Sequence, residues 1–219
     1  MTCGMAAASK PSESAKHIIF TGPPGVGKTT ATRRLAELWR SRGRPAAGFY
    51  TEEVRSSGRR IGFDVVSIFD GSRATLARTE PFADFVRFGQ PPPPRVSAYL
   101  VNTGAFEAAA EAALSPALAR LQQPDRAASG PPLLVVIDEV GKMELFGSQF
   151  KRLVEHLVNP ALTPPYQLLV TLPVAKGSRE DPLISRLRAD NKFFKYSLSR
   201  ESRDEAPDSA LKALESAVS

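Results

Sequence analysis

At 219 residues, 42% apolar and 24% charged, the chain has the size of one well-cored domain and the make-up of an ordinary globular protein. A single cysteine, Cys3, excludes an intrachain disulfide, and no apolar run approaches the roughly 20 residues that a membrane-spanning helix needs. The net charge of +6 admits nucleic acid as a partner, but the basic residues are scattered and not interleaved with aromatics, which favours solvated surface plus a few phosphate-directed arginines.

In chain order, "MTCGMAAASKPSESAK" (1–16) lacks the apolar core of a secretory signal and the arginines of a transit peptide. It is expected to be a disordered lead-in to a single domain over 17–219, with the cytoplasm as the default address. "HIIF" (17–20) is a short strand stopping at a glycine-rich turn. From Lys28 the pattern becomes helical, with Ala31, Leu35, Leu38 and Trp39 on one face and Gly43 as the stop. "AAGFYTEE" reads as a strand ending in acids, and the β-branched "GRRIGFDVVSIF" as a hairpin arm.

Residues 79–97 contain "QPPPPR" and are expected to form a loop, because prolines remove the donors a ladder or helix needs. "AYLVN" is another short strand. Asn102 or Thr103 is placed to cap an alanine-rich helix over 104–122, and "QPDRAASGPP" follows as a loop. A strand is expected over 133–138. Ser148 is placed to cap a helix whose Phe150, Leu153, Val154, Leu157 and Val158 recur at i, i+3, i+4, i+7 and i+8. "QLLVTL" (167–172) is a strand cut off by Pro173; a short helix near 182–189, the strand "KFFKYSL" and a charged terminal helix complete the chain. The alternation predicts a three-layer α/β fold, with a mostly parallel central sheet, helices on both faces and a β-hairpin insertion.

Between the first strand and first helix lies "GPPGVGKTT" (Gly22, Pro23, Pro24, Gly25, Val26, Gly27, Lys28, Thr29, Thr30), which fits the phosphate-loop pattern G-x-x-x-x-G-K-[ST]. Its N–H groups, aided by the helix dipole, are suited to cradle an anion. Lys28 would reach the β- and γ-phosphates of a nucleotide, and the Thr29 hydroxyl would bind Mg²⁺. The strand "LLVVID" ends in two acids, Asp138 and Glu139, and buried carboxylates are costly without a cation or donors. Such a strand is the usual companion of the phosphate loop, known as Walker B. Asp138 is then expected to hold the magnesium shell, and Glu139 to act as general base on the attacking water. The spatial expectation is that this strand end lies beside the glycine loop.

These motifs, together with "GFYTEEVR", "GRRIGFDVV" and "VIDEVGKMELF" in that order, resemble the small THEP1-type nucleoside-triphosphatases of the RecA-like P-loop group, the family of the cancer-related nucleoside-triphosphatase. The likeness continues more weakly through "TLPVAKG" and "RADNKFFKYSLSRESR", spanning His17 to about Arg203. It implies a RecA-like P-loop NTPase that slowly hydrolyses ATP, GTP, CTP and UTP to the diphosphate and phosphate with Mg²⁺ and little base preference; apart from the resemblance, a monomer is expected. It also implies that Gly22–Thr30 and the segment Val136, Ile137, Asp138, Glu139, Val140 and Gly141 bind nucleotide. One departure is Ser97, where the family commonly has glycine. Independently, Asn191-Lys192 is followed by Phe193 and Phe194, so the carboxylate of a guanine-reading Asn/Thr-Lys-x-Asp motif is missing.

Candidate accessory residues are Glu52 and Glu53 after the second strand, Arg55, Arg59 and Arg60 as phosphate-directed cations, Lys142 beyond Gly141, and Thr171 at a strand end near the phosphate loop. Glu144 has no assignment. Two other functions fit the same loop: a nucleotide or small-molecule kinase, although no arginine-rich lid is visible, and an NTP-driven RNA-binding switch, for which the positive charge leaves room.

Overall fold

The computed structural model describes residues 15–80, 92–123, 130–159, 166–175 and 180–217. The lead-in up to residue 14, proline-rich positions 81–91 and loop positions 124–129 lie outside them.

Nine strands form one sheet: β1 (His17–Thr21), β2 (Ala46–Ser56), β3 (Arg59–Ser67), β4 (Arg73–Arg78), β5 (Arg95–Val96), β6 (Tyr99–Val101), β7 (Leu133–Ile137), β8 (Tyr166–Leu172) and β9 (Phe193–Ser197). Their spatial order is β5-β6-β4-β3-β2-β7-β8-β1-β9. The helices are α1 (Lys28–Ser41), α2 (Thr103–Gln122), α3 (Ser148–Leu157), α4 (Pro182–Ala189) and α5 (Ala206–Ser216).

The β2-β7-β8-β1-β9 half is parallel. The other half, β2-β3-β4-β6-β5, is antiparallel, so the sheet is mixed and the expected hairpin insertion is the start of a wider wing. Strands β4 and β5 were not expected. β4 ("RATLAR") has an arginine at each end, and only the fold shows that Arg78 is buried, with Asp64 of β3 and the Phe63 carbonyl as partners. β2 also runs past its acids to Ser56, and the two-residue turn Ser57-Gly58, both at positive φ, returns it into β3.

Side chains alternate across a strand, so each parallel strand serves both faces. Ile18, Phe20, Leu134, Val136 and Leu169 join the core under α1 and α5, with Leu35, Trp39, Leu211 and Leu214. Ile19, Val135, Ile137, Leu168 and Val170 join the opposite core under α2, α3 and α4, with Phe106, Phe150 and Leu187. The three-layer α/β architecture follows. No helix among the described residues is long and apolar enough to cross a membrane.

Asn102 caps α2, its Oδ1 accepting from the Ala105 N–H at 3.2 Å. Ser148 does not cap α3. Instead the Glu107 carboxylate of α2 accepts from the N–H groups of Gln149 (2.6 Å) and Phe150 (3.2 Å). A carboxylate at a helix N-terminus makes charge-assisted bonds that a local hydroxyl cannot match.

Candidate active site

The phosphate-loop sequence joins β1 to α1. Pro23 O accepts from the Val26 N–H at 3.2 Å, and Val26 is buried beneath the turn. Gly27 stands at φ 108, a backbone that other residues adopt only at a steric cost, and is the N-cap of α1 with no side-chain cap. The first N–H groups of α1, beginning at Lys28, Thr29 and Thr30, are thereby left for an anion. Lys28 Nζ donates to the Gly22 carbonyl at 3.1 Å, which draws its ammonium back over the loop.

The sheet's alternation aims the second half of the site. Leu134 and Val136 point toward α1, and Asp138, next in that series after Ile137, continues it. On β8 the same parity carries Leu169 to Thr171. The Thr171 hydroxyl donates to Asp138 Oδ1 at 2.6 Å, and the Thr51 N–H of β2 to Oδ2 at 3.4 Å. The Thr29 hydroxyl is a further partner of this carboxylate. Asp138 is 1% exposed, and burial pushes its pKa up. The bonds from Thr171, Thr29 and the Thr51 N–H, and then the charge of Lys28, oppose that rise. A buried carboxylate beside a hydroxyl at the mouth of a phosphate-binding loop is an oxygen-only donor pair, which suits a small hard cation that takes its other ligands from water and phosphate. Among the described residues no group of three or more His, Cys, Asp and Glu could hold a metal, so any ion here would rest on that pair.

The chain passes from Asp138 to Glu139 through a cis peptide bond. Glu139 Oε2 lies 3.5 Å from Lys28 Nζ, which brings the strand end to the glycine loop as expected. Val140 is buried and donates to the Thr171 carbonyl at 3.0 Å. Gly141 is crowded: a methyl group there would lie 2.8 Å from Glu139 Oε1 and 2.9 Å from Glu144 Oε2. Glu144, unassigned from the sequence, is a buried acid whose pKa is pushed up to about 8, by desolvation first and then by Glu139.

The remaining candidates separate. Thr171 is in the site. Glu52 lies one residue from Thr51, but its carboxylate is taken by Arg33 at 3.6 Å and by Arg73. Glu53 pairs with Arg55 and Arg60 on the exposed hairpin. Arg55 is four residues beyond Thr51 and about 13 Å further along the strand, so it is not brought to the phosphate loop. Arg59 and Arg60 open β3 at the same outer end, where Arg60 also donates to the Tyr99 hydroxyl. Lys142 is exposed immediately beyond Gly141.

One feature lay beyond sequence reasoning. A cleft of about 430 Å³ flanks the phosphate loop, lined by Gly27, Thr30, Arg34, Arg203, Asp204 and Pro207 among others. Arg203 donates to the Val26 carbonyl at 3.2 Å, a contact spanning 177 positions that no local pattern announces.

A family model described as "NTPase" matches residues 17–211. The chain is 40% identical over 196 residues to the human cancer-related nucleoside-triphosphatase, covering 87% of this chain and 92% of that one. Two solved structures share the fold. One is the solution structure of a human cancer-related nucleoside triphosphatase, with TM-score 0.73, 35% identity, and 92% and 98% of the two chains covered. The other is the crystal structure of THEP1 from the hyperthermophile Aquifex aeolicus, with TM-score 0.69, 31% identity, and 91% and 99% covered.

Proposed function

The chain belongs to the nucleoside-triphosphatase family, and we propose that it hydrolyses nucleoside triphosphates to the diphosphate and phosphate, with Mg²⁺ and little regard for the base. The observation that carries this reading is the meeting of Lys28, Glu139 and the Asp138–Thr171 pair at one end of the sheet, with Lys28 and Glu139 3.5 Å apart.

In this mechanism the phosphates lie along Gly22–Thr30, with Lys28 countering charge on the β- and γ-phosphoryl groups. Glu139, at the lysine's side, takes a proton from the attacking water. The new bond joins the water oxygen to the γ-phosphorus. The bond from the γ-phosphorus to the bridging oxygen breaks, and the diphosphate carries away its electron pair. Thr29 and Asp138 would hold the magnesium ion, which supplies charge neutralisation at the phosphates when bound. Thr171 and the Thr51 N–H keep Asp138 oriented from behind.

The nucleoside has a place in the cleft beside Gly27 and Thr30. Arg34 and Arg203 on its walls offer planar cations that can lie on the face of any base. Stacking of that kind reads no base edge, which agrees with the missing guanine-reading carboxylate.

The test is an initial-rate survey of phosphate release from ATP, GTP, CTP and UTP, with and without Mg²⁺ and with hydroxyl acceptors added. Comparable rates that require the ion are expected. Glu139→Gln should bind nucleotide normally and lose about 100-fold or more in turnover. Phosphate transfer to an added acceptor faster than release of free phosphate would establish a kinase instead, and undiminished turnover in Glu139→Gln would show that another group is the base.

A further inference from the structure

Glu144 is a buried ionisable group that this mechanism leaves unused. It opens the 3-10 turn Glu144–Phe146 and is 6% exposed. Its carboxyl accepts from its own N–H and from that of Gly141. Gly141 also brings it to Glu139, because the two carboxyl groups each come within 3 Å of the same point above one α-carbon, the position a methyl group on Gly141 would take. Two anions converging there, one of them shut away from water, would repel with little screening.

We propose that Glu144 is a positioning residue for Glu139: fixed on the turn that begins at Gly141, its neutral carboxyl backs the Glu139 carboxylate and keeps it turned toward Lys28. The inference rests on the assignment of Glu139 as the base. The environment supports the neutral form. Burial, the Glu139 charge and, more weakly, the Asp138 charge all hold the proton on Glu144 up to about pH 8. On the helices packed around the turn, Glu107 of α2 holds the first N–H groups of α3, and Lys151 of α3 pairs with Asp181 at 2.9 Å. Lys142, two residues before, is exposed. Once Glu144 loses its proton, a second anion faces Glu139 and displaces the base from Lys28.

Two measurements decide the matter. In the first, kcat and KM for phosphate release are followed from neutral to alkaline pH in wild type, Glu144→Gln and Glu144→Ala. The isosteric, permanently neutral Gln should hold kcat within about threefold and remove the alkaline decline, whereas Ala should lower kcat about tenfold or more with little change in KM. A Gln variant as impaired as Ala, or one that keeps the alkaline decline, overturns the proposal. In the second, carboxyl carbons are titrated by NMR in glutamate-labelled protein, with Glu144 identified by its absence from Glu144→Gln. Its midpoint should lie far above those of the surface glutamates and fall in Glu139→Gln, where the opposing charge is gone. A midpoint among the surface glutamates overturns the proposal whatever the turnover. Lack of phosphate release by the wild type would count against the hydrolase reading alone, and the titration would still decide whether the two acids are coupled.

Discussion

Asp138 shows how much one buried carboxylate depends on its neighbours. Desolvation favours its neutral form, and its stay as an anion relies on the hydroxyls of Thr171 and Thr29, the Thr51 N–H and the charge of Lys28. The Thr171 hydroxyl lies closer to Asp138 than the Thr51 N–H does, and Thr171 is fully buried, so no water can replace its hydroxyl. Thr171→Val keeps the shape and removes the donor. The Asp138 pKa should rise, and Mg²⁺-dependent nucleotide binding should weaken about tenfold near neutral pH, corresponding to roughly 1–2 kcal/mol for one hydrogen bond to a charged group. Thr171→Ser should retain most of the affinity, and calorimetric titration with a non-hydrolysable triphosphate checks both. This residue was legible in the sequence as a polar end to an apolar strand next to the phosphate-loop strand. Glu144 and Arg203 were not. The partner of Glu144 depends on how the chain turns after Gly141, and that of Arg203 on where the last helix packs, which no local spacing encodes.

The elements themselves show the same division. Long periodic segments such as α1 and α3, and apolar runs such as β7 and β8, were visible because burial on both faces of a sheet demands them. What joins the elements was less visible. The start of α3 is held by Glu107, more than forty positions earlier, and not by the adjacent Ser148. Glu107→Ala should therefore cost about 1–2 kcal/mol, seen as a lower urea midpoint, while Ser148→Ala changes little. In α2, Pro116 has no N–H for the Ala112 carbonyl, and the Ser115 hydroxyl donates to it at 2.8 Å, so the helix passes through a proline unbroken. The turn between β5 and β6 carries Ser97 at φ 54, in the left-handed region. A tight hairpin favours glycine at that position, so Ser97 holds it at a conformational cost. Ser97→Gly is expected to raise stability by up to about 1 kcal/mol, by relieving that conformation, with thermal unfolding as the measure.

At the scale of the whole molecule, two buried groups on opposite sides of neutrality shape the pH dependence of stability. His17 accepts from the Leu168 N–H through Nδ1 at 3.1 Å, and burial lowers its pKa from 6.5 to about 4. Between those values the unfolded chain binds the proton and the folded one does not, so this histidine makes stability rise with pH up to about 6.5. Glu144 acts in the reverse sense. Its pKa is raised from 4.5 to about 8, the folded state holds the extra proton in that interval, and stability falls as pH increases through it. Each slope has a limit of about 1.4 kcal/mol per pH unit. They nearly cancel between 4.5 and 6.5, and the glutamate alone acts from there to about 8. Urea midpoints of wild type, His17→Asn and Glu144→Gln across this range would separate them. Relative to wild type, Glu144→Gln should gain stability steadily toward pH 8, and His17→Asn should gain it toward pH 4, with each difference flat outside its own interval. Parallel curves for all three proteins would mean that neither group stays buried in the protonation state assigned to it.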